Sequence, residues 1–264
     1  MRKKHSRLPE LYVTLLLLLM YLPILVVVVY SFNDTKLFHW EGFTLAWYQK
    51  LLHNTVIQEA LVNSLKLAVL SSGAAAILGT VGAVGMSRSH FQAKGLLENV
   101  SIIPIMIPEI ILGMAYLAFF TYLKVPFGML TLVIAHTTFC IPYIYINVKA
   151  RLAGLDPSIG EAALDLGASE LRMFFDITAP LILPAVTSGT LLAFAMSMDD
   201  VVISFFATGP NVTTLPLHVY SMLKMGVTPE INALCTLMLG TVFLAVALSR
   251  LLRASRNKAS DKSL

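Results

Sequence analysis

Six long apolar runs constrain this chain more than any other feature of its sequence. Each is close to the length of about 20 residues with which an α-helix crosses the hydrocarbon core of a bilayer. Backbone polar groups inside a bilayer must be satisfied within the segment, so the runs predict helices rather than open strands. The sequence therefore predicts an all-α, polytopic membrane protein with six transmembrane helices. The runs cover about residues 11–31, 61–86, 99–122, 129–148, 181–206 and 229–252.

Composition supports this class and excludes others. The chain is 57% hydrophobic and only 13% charged, which is too little polar residue for a soluble domain of 264 residues. The six spans leave no room for a separate soluble domain, so we predict a single transmembrane domain over residues 1–264. Cys140 and Cys235 both lie in apolar runs, which is typical of buried side chains rather than of a disulfide framework.

The basic residues predict the orientation in the membrane and do not indicate a nucleic-acid partner. Of the nineteen lysines and arginines, fourteen lie in or beside the two termini and the loops that follow the second and fourth runs. Because cytoplasmic loops are enriched in these residues, we expect both termini and the long loop at residues 149–180 on the cytoplasmic side. The five basic residues elsewhere are Lys36, Lys50, Lys66, Lys124 and Lys224.

The loop at residues 149–180 has the residue types of a protruding helical hairpin. Its run Glu161-Ala162-Ala163 favours a helix, and the alanines leave a surface that another protein can approach closely. Gly167 permits a turn that other residues resist. We expect a second short helix at residues 168–176, which Pro180 ends before the next span. The alternative is an ordinary amphipathic loop at the membrane surface.

Three carboxylates fall inside apolar runs, where a charge is costly unless it is paired, hydrated or protonated. Glu109, Asp199 and Asp200 have no basic partner within their own runs. Adjacent helical residues point about 100° apart, so only one of the two aspartates is expected to face a central cavity. The other would face a neighbouring helix or a partner subunit.

Tyr116 lies seven residues after Glu109, on nearly the same face of a helix. An aromatic ring near carboxylates suits a polycation, through charge pairing and cation–π contact. Glu109, Tyr116, Asp199 and Asp200 are therefore candidates for a substrate path. The alternative is that the acids cap broken helices or bind groups of a partner subunit.

The sequence contains no catalytic, metal or cofactor signature, and we do not expect an enzyme. The dipeptide Gly-Lys is absent, so no phosphate loop is present and any ATP would be handled by another chain. The six histidines are scattered, and we interpret His136 as a hydrogen-bonded packing residue. A proton-coupled secondary cation transporter, with the acids as a proton relay, is the rival hypothesis. It gains no support from internal repeats, because we find no convincing one.

Two motifs carry a resemblance to a known family. The pattern Glu161-Ala162-Ala163, Gly167 and Ile177-Thr178-Ala179-Pro180 resembles the EAA loop of ABC importer membrane subunits, with Ala179 in place of the usual Leu. The run from Ser197 to Phe206 resembles the fifth-span signature of spermidine/putrescine permeases. The resemblance extends along nearly the whole chain and implies the type I ABC importer permease fold.

The resemblance also implies partners and a location. These are a second, unlike permease subunit, two cytosolic ATPase subunits, a periplasmic polyamine-binding protein and the lipids of a bacterial inner membrane. An ABC permease for another small solute is the closer alternative, since related importers share the loop. The residues that the resemblance assigns to ATPase coupling are Glu161, Ala162, Ala163, Gly167, Ile177 and Pro180.

Overall fold

The computed structural model describes residues 8–35, 39–89, 91–241 and 243–244, and these residues are predominantly helical. Their β structure is limited to one isolated antiparallel bridge, between Asn33 and Phe43, which confirms the all-α prediction. Residues 229–241 are helical as well. The named helices are α1 (Leu8–Tyr30), α2 (Ala46–His53), α3 (Thr55–Arg88), α4 (Lys94–Met106), α5 (Glu109–Tyr122), α6 (Met129–Ala153), α7 (Pro157–Asp165), α8 (Glu170–Met173), α9 (Ala179–Asp199), α10 (Val202–Ala207) and α11 (Leu215–Lys224).

Four helical stretches of the described chain are long and apolar enough to cross a membrane, and a bent pair of helices could supply a fifth crossing. They match the first, second, fourth and fifth predicted runs, and the structure confirms several membrane-spanning helices. The sixth predicted run is helical to residue 241, and most of its remainder lies outside the described residues. The four stretches are Glu10–Tyr30, Thr55–Arg88, Met129–Ala153 and Glu170–Asp199.

The third predicted run, residues 99–122, is bent rather than straight. Helices α4 and α5 meet at an angle of 105°. Ile107 between them is extended, with φ −78° and ψ 132°, because the residue before a proline is driven out of the α region. Pro108 follows with no N–H to continue the helical ladder. The bend therefore makes Glu109 the first residue of α5.

Pro180 does not end a helix, and our expectation of a stop there was wrong. Residues 170–199 form one helical stretch of 30 residues that enters the membrane from the loop. The turn Phe174–Thr178 is a π-helix, in which the N–H of Ala179 donates to the carbonyl of Phe174. Because this wider turn shifts the hydrogen-bond register just before Pro180, the missing proline N–H falls at the start of α9.

The chain divides into two compact units, Val56–Tyr220 and the described parts of Met1–Thr55 with Ser221–Leu264. In the first unit α6 packs against α9 and α3 through glycines. A Cβ on Gly189 would lie 3.0 Å from the Ile144 Cα, and a Cβ on Gly79 would lie 3.1 Å from the same residue's Cβ. Small residues thus let these helices approach closely, as in other membrane bundles.

The second unit is ordered around a buried asparagine that follows α1. The Asn33 side chain donates to the carbonyl of His39 at 2.8 Å. The Trp47 indole donates to the Asn33 carbonyl at 2.8 Å, which fixes α2. An ion pair of 2.6 Å between Lys50 and Glu230 joins α2 to the helix at residues 229–241.

Candidate functional site

The loop after α6 begins with a well-capped helix. Asp156 precedes α7, and its side chain accepts a hydrogen bond of 3.0 Å from the backbone N–H of Ser158. This bond lowers the pKa of the Asp156 carboxyl. Pro157 occupies the first turn, where its missing N–H costs nothing. The helix carries Glu161 and Ala162 on its exposed surface.

A Schellman turn ends α7 and reverses the chain. Gly167 has a φ of +85°, and its N–H donates to the Leu164 carbonyl at 2.9 Å. The N–H of Ala168 donates to the Ala163 carbonyl at 3.0 Å, which completes the motif. Ser169 then caps α8 by accepting from the N–H of Arg172. The predicted helix–turn–helix is therefore present, with its turn at the predicted glycine.

The tip of this hairpin exposes large apolar side chains. Leu166 is 90% exposed, Leu171 is 72% exposed and Phe175 is 65% exposed. Ala163 of the same hairpin is buried, whereas Glu161 beside it is exposed. Large apolar side chains exposed in a polar loop are typical of a surface to which another protein binds. The hairpin thus presents a charged residue beside apolar side chains.

Two arginines connect the hairpin to the membrane helices. The guanidinium of Arg88, at the end of α3, donates to the Thr178 hydroxyl at 3.4 Å and contacts the Met173 sulfur at 3.6 Å. Arg151, near the end of α6, donates to the Leu181 carbonyl at 2.9 Å. These contacts join α3 to the end of the hairpin and α6 to the start of α9.

A cavity of about 520 Å³ lies behind the hairpin, between the ends of α3, α4 and α6. Ile177, the half-buried residue before Thr178, lines it. Lys149 and Glu98 also line it and form an ion pair of 2.9 Å that joins α6 to α4. The cavity therefore combines apolar side chains with one ion pair and further charged residues.

The three carboxylates of the apolar runs lie at two breaks in the helices. Glu109 opens α5 directly after the bend at Pro108. Asp199 closes α9, and Asp200 follows it in an extended conformation, with φ −69° and ψ 126°, before α10. Glu109 is within electrostatic range of both aspartates. Two broken helices thus bring all three predicted acids together, which the sequence spacing alone did not predict.

The two aspartates have different environments. Asp200 is buried, and its carboxylate accepts from the N–H groups of Ile203 at 3.1 Å and Ser204 at 2.7 Å. It also lies 3.3 Å from the Nε2 atom of His136. Asp200 therefore caps α10, which is the alternative that the sequence left open for these acids. Asp199 is exposed, so one aspartate faces outward and the other inward.

The outward-facing acids have no counter-charge in the part of the chain that the structure describes. Glu109 and Asp199 are both exposed, and neither side-chain carboxylate forms a hydrogen bond or ion pair with another described residue. Tyr143 of α6 is within electrostatic range of Glu109. Its ring makes an edge contact with Phe139, with centroids 5.6 Å apart. Glu109 therefore has both Asp199 and the Tyr143 ring within electrostatic range.

Tyr116 lies two turns after Glu109 in the same helix, α5, as the spacing predicts, and its role in a substrate path stays a prediction. Its ring stacks on Phe120 with centroids 6.2 Å apart, and its hydroxyl faces Thr138. Tyr143 was missed by sequence reasoning because it lies on another run without a neighbouring charge. His136 was predicted to be a hydrogen-bonded packing residue, and the structure confirms this, with both ring nitrogens bonded. Its pairing with Asp200 had no signal in the sequence.

Comparison with known families now places the chain. The family described as "Binding-protein-dependent transport system inner membrane component" matches residues 75–257. The chain belongs to this family. The match spans the hairpin, both helix breaks and all three carboxylates, and together with the apolar helices it makes the chain a multi-pass membrane protein.

Relatives of this family member match over nearly their whole length. The spermidine/putrescine transport system permease protein PotC of Escherichia coli (strain K12) is 39% identical over 242 residues, covering 91% of this chain and 92% of the relative. The putrescine transport system permease protein PotI of the same strain is 43% identical over 252 residues, covering 92% and 90%. A PotC homolog of Mycoplasma genitalium is 27% identical and covers 98% of this chain and 96% of its own.

Solved structures confirm the fold at low sequence identity. A bacterial ABC transporter involved in the import of the acidic polysaccharide alginate superposes with a TM-score of 0.73 at 15% identity, covering 95% of this chain and 98% of that chain. An amino acid ABC transporter with histidines gives 0.57 at 18% identity, covering 80% and 99%. The likeness supports the ABC importer permease fold.

Proposed function

We propose that the chain is a permease subunit of an ATP-driven importer and forms part of the translocation pathway for polyamines such as spermidine and putrescine. The observation that carries the proposal is the exposed pair Glu109 and Asp199, two carboxylates at two helix breaks that have no counter-charge among the described residues. The relatives whose names include spermidine and putrescine are aligned across this region. Carboxylates that face a path through a membrane suit a cationic substrate.

The substrate would be held by charge pairing with weak aromatic support. Glu109 and Asp199 would each face one ammonium group, while the Tyr143 ring covers the aliphatic chain or a cation. Asp200 is occupied by the α10 cap and by His136, so it would contribute no direct contact. Two exposed carboxylates bind a mobile cation transiently, which is what a transport path needs for release.

Coupling to ATP would act through the hairpin. The helical stretch from residue 170 to residue 199 is 30 residues long, or about 45 Å at the rise of an α-helix. It begins beside the hairpin turn and ends at Asp199. A cytosolic ATPase that docks on the exposed Glu161 and Ala162 and on the apolar tip, with the buried Ala163 supporting that surface from beneath, would therefore move one end of this helical stretch, whose other end carries the substrate site.

Arg88 and Arg151 would make this motion collective. They tie this helical stretch to α3 and α6, so the hairpin displaces several helices and not a single flexible loop. The helix ends would rock, and the translocation pathway between the permease subunits would change the side of the membrane to which it opens. Gly167 would supply the rigid turn, whereas Ile177 and Pro180 would shape the entry of the helical stretch into the membrane.

The complete assembly would contain a second, unlike permease subunit, two cytosolic ATPase subunits and a periplasmic polyamine-binding protein, in the bacterial inner membrane. This chain would supply six spans with both termini in the cytoplasm. The excess of lysine and arginine in the two termini and in the loops after the second and fourth runs supports that topology. ATP hydrolysis would belong to the partner ATPase, so this chain would not itself be an enzyme.

The test is polyamine uptake into proteoliposomes that contain the co-purified complex. ATP is placed on one side or the other, and the binding protein is added or omitted. We expect uptake of labelled spermidine or putrescine only when ATP is on the side of the ATPase subunits and the binding protein is on the opposite side of the membrane. Uptake driven by a proton gradient without ATP would overturn the proposal, and uptake of a neutral or anionic solute in preference to polyamines would overturn its substrate.

A further inference from the structure

A buried polar network surrounds the break between α9 and α10. His136, on α6, is fully buried. Its Nδ1 atom lies 2.9 Å from the Ser197 hydroxyl, and its Nε2 atom lies 3.1 Å from the Ser204 hydroxyl. The Ser197 hydroxyl in turn lies 3.1 Å from that of Ser71 on α3. One imidazole therefore connects α3, α6, α9 and α10.

The direction of these bonds follows from the carboxylate. Nε2 of His136 faces Asp200 Oδ2 at 3.3 Å, so Nε2 carries a proton and donates toward that anion. Asp200 also accepts from the N–H groups of Ile203 and Ser204. Its carboxylate is therefore satisfied from the interior side and has no reason to turn toward the exposed surface.

We propose that His136 is a positioning residue that holds Asp200 in the α10 cap and thereby fixes the outward direction of Asp199 toward the substrate. Asp199 is the last residue of α9, and Asp200 is the single extended step that follows it. A rotation that brought Asp200 outward would carry Asp199 away from Glu109. His136 resists that rotation because its two nitrogens hold both sides of the break, Ser197 before it and Ser204 after it.

This inference deepens the proposed function, since it assigns unlike tasks to two adjacent aspartates. A buried anion that loses a hydrogen-bonding partner must find another or neutralise. Without His136, the Asp200 carboxylate would compete with Asp199 for the exposed side of the break. The side chains of Asp199 and Asp200 would then adopt a mixture of orientations, with either carboxylate on the exposed side.

The test measures direction without any substrate. In the assembled complex, Asp199→Cys is labelled with a cationic methanethiosulfonate, first in the parent chain and then together with His136→Leu, which removes both ring nitrogens at similar volume. His136→Gln, which keeps an amide donor, is the rescue variant. Thr187→Val, which deletes a hydroxyl bonded only within α9, is the matched control. Labelling of the native cysteines is subtracted with the chain that lacks the Asp199→Cys change.

We expect fast labelling of Asp199→Cys in the parent and recovery of that rate with His136→Gln. With His136→Leu, labelling should be about tenfold slower, which is the scale set by the loss of a hydrogen bond to a charged group. Ser197→Ala, which removes one partner of the imidazole and leaves the ring in place, should slow labelling in the same direction. It also serves if His136→Leu fails to assemble. Equal rates with and without His136, or faster labelling of Asp200→Cys than of Asp199→Cys in the parent, would overturn the inference.

A transport measurement separates this inference from the proposed function. If His136 positions Asp199, His136→Leu should lower polyamine uptake per ATP hydrolysed while ATPase activity stimulated by the binding protein persists. If labelling behaves as expected but Asp199→Asn transports polyamines normally, the positioning role stands and the substrate role of Asp199 fails. If labelling is indifferent to His136 while Asp199→Asn abolishes uptake, the reverse holds.

Discussion

Substitution of Gly167 provides the most direct test of the proposed coupling role of the hairpin, because the cost of the substitution is confined to the backbone. Gly167 has a φ of +85°, and a Cβ added there would meet no atom within 4 Å. An L-residue in the left-handed region costs about 1–2 kcal/mol, so Gly167→Ala is penalised by conformation alone. Gly167→Val adds β-branching and should cost more. Asn tolerates this region, and Gly167→Asn should be the mildest change.

The penalty converts into a population of correctly formed turns. A cost of about 1–2 kcal/mol lowers that population relative to its alternatives by a factor of about 5–30. The apparent affinity of a partner that binds only the formed turn falls by the same factor once the alternatives dominate. We expect co-purification of the ATPase, and coupled uptake, to decrease in the order Gly, Asn, Ala, Val at this position.

The assay is titration of the detergent-solubilised permease subunits with the ATPase, followed by uptake in proteoliposomes. Gly85→Ala is the matched control, because Gly85 also has open space around its Cβ position but lies in α3 without a positive φ. That change should be neutral or slightly stabilising, as expected for alanine in a helix. Docking by Gly167→Val that matches the parent would refute the argument that this turn sets the coupling geometry.

Three further predictions follow from other parts of the structure. Asp199→Asn and Glu109→Gln should each lower polyamine uptake with assembly intact, and full uptake by both would remove them from the path. Gly113→Ala should destabilise the α5–α10 contact by about 1–3 kcal/mol, since its Cβ would lie 2.5 Å from an aromatic ring of α10, whereas Gly95→Ala, in open space, should not lower the melting temperature. The folded-state pKa of Asp156 is lowered, so its stabilisation of α7 is present above the unfolded pKa and is lost as the pH falls through the folded pKa. Amide-exchange protection of α7 should therefore decrease in that pH range. Asp156→Asn, which caps the helix without titrating, should abolish this pH dependence.

The sequence predicted the features that are local and repetitive. Apolar runs predict helices because lipid leaves the backbone few other solutions, and the hairpin turn was predictable because few residues other than glycine adopt a φ such as that of Gly167. The break at Pro108 had only the proline itself as a local signal, and a proline inside an apolar run also occurs in continuous helices. Pro180 shows this directly, because a π turn absorbs it.

The site itself depended on contacts between distant parts of the chain. Asp199 and Asp200 could be nominated from their cost in an apolar run, but not assigned separate environments. Their difference arises from His136 on another helix, and no spacing rule relates that residue to Asp200. Tyr143 could not be predicted for the same reason, because its electrostatic interaction with Glu109 arises only when α5 and α6 pack together.

The arrangement of breaks explains how one motion could serve both coupling and substrate handling. Asp199 ends the long helical stretch that starts at the hairpin, whereas Glu109 starts α5, which packs against α10 on the other side of the Asp200 break. The two exposed carboxylates therefore belong to different helices, α9 and α5, and a displacement of α9 relative to α5 would change the distance between them. A polyamine held by both would lose one contact as α9 moves. The step that the ATPase drives at the hairpin would then also weaken the substrate's binding, with no separate release device required.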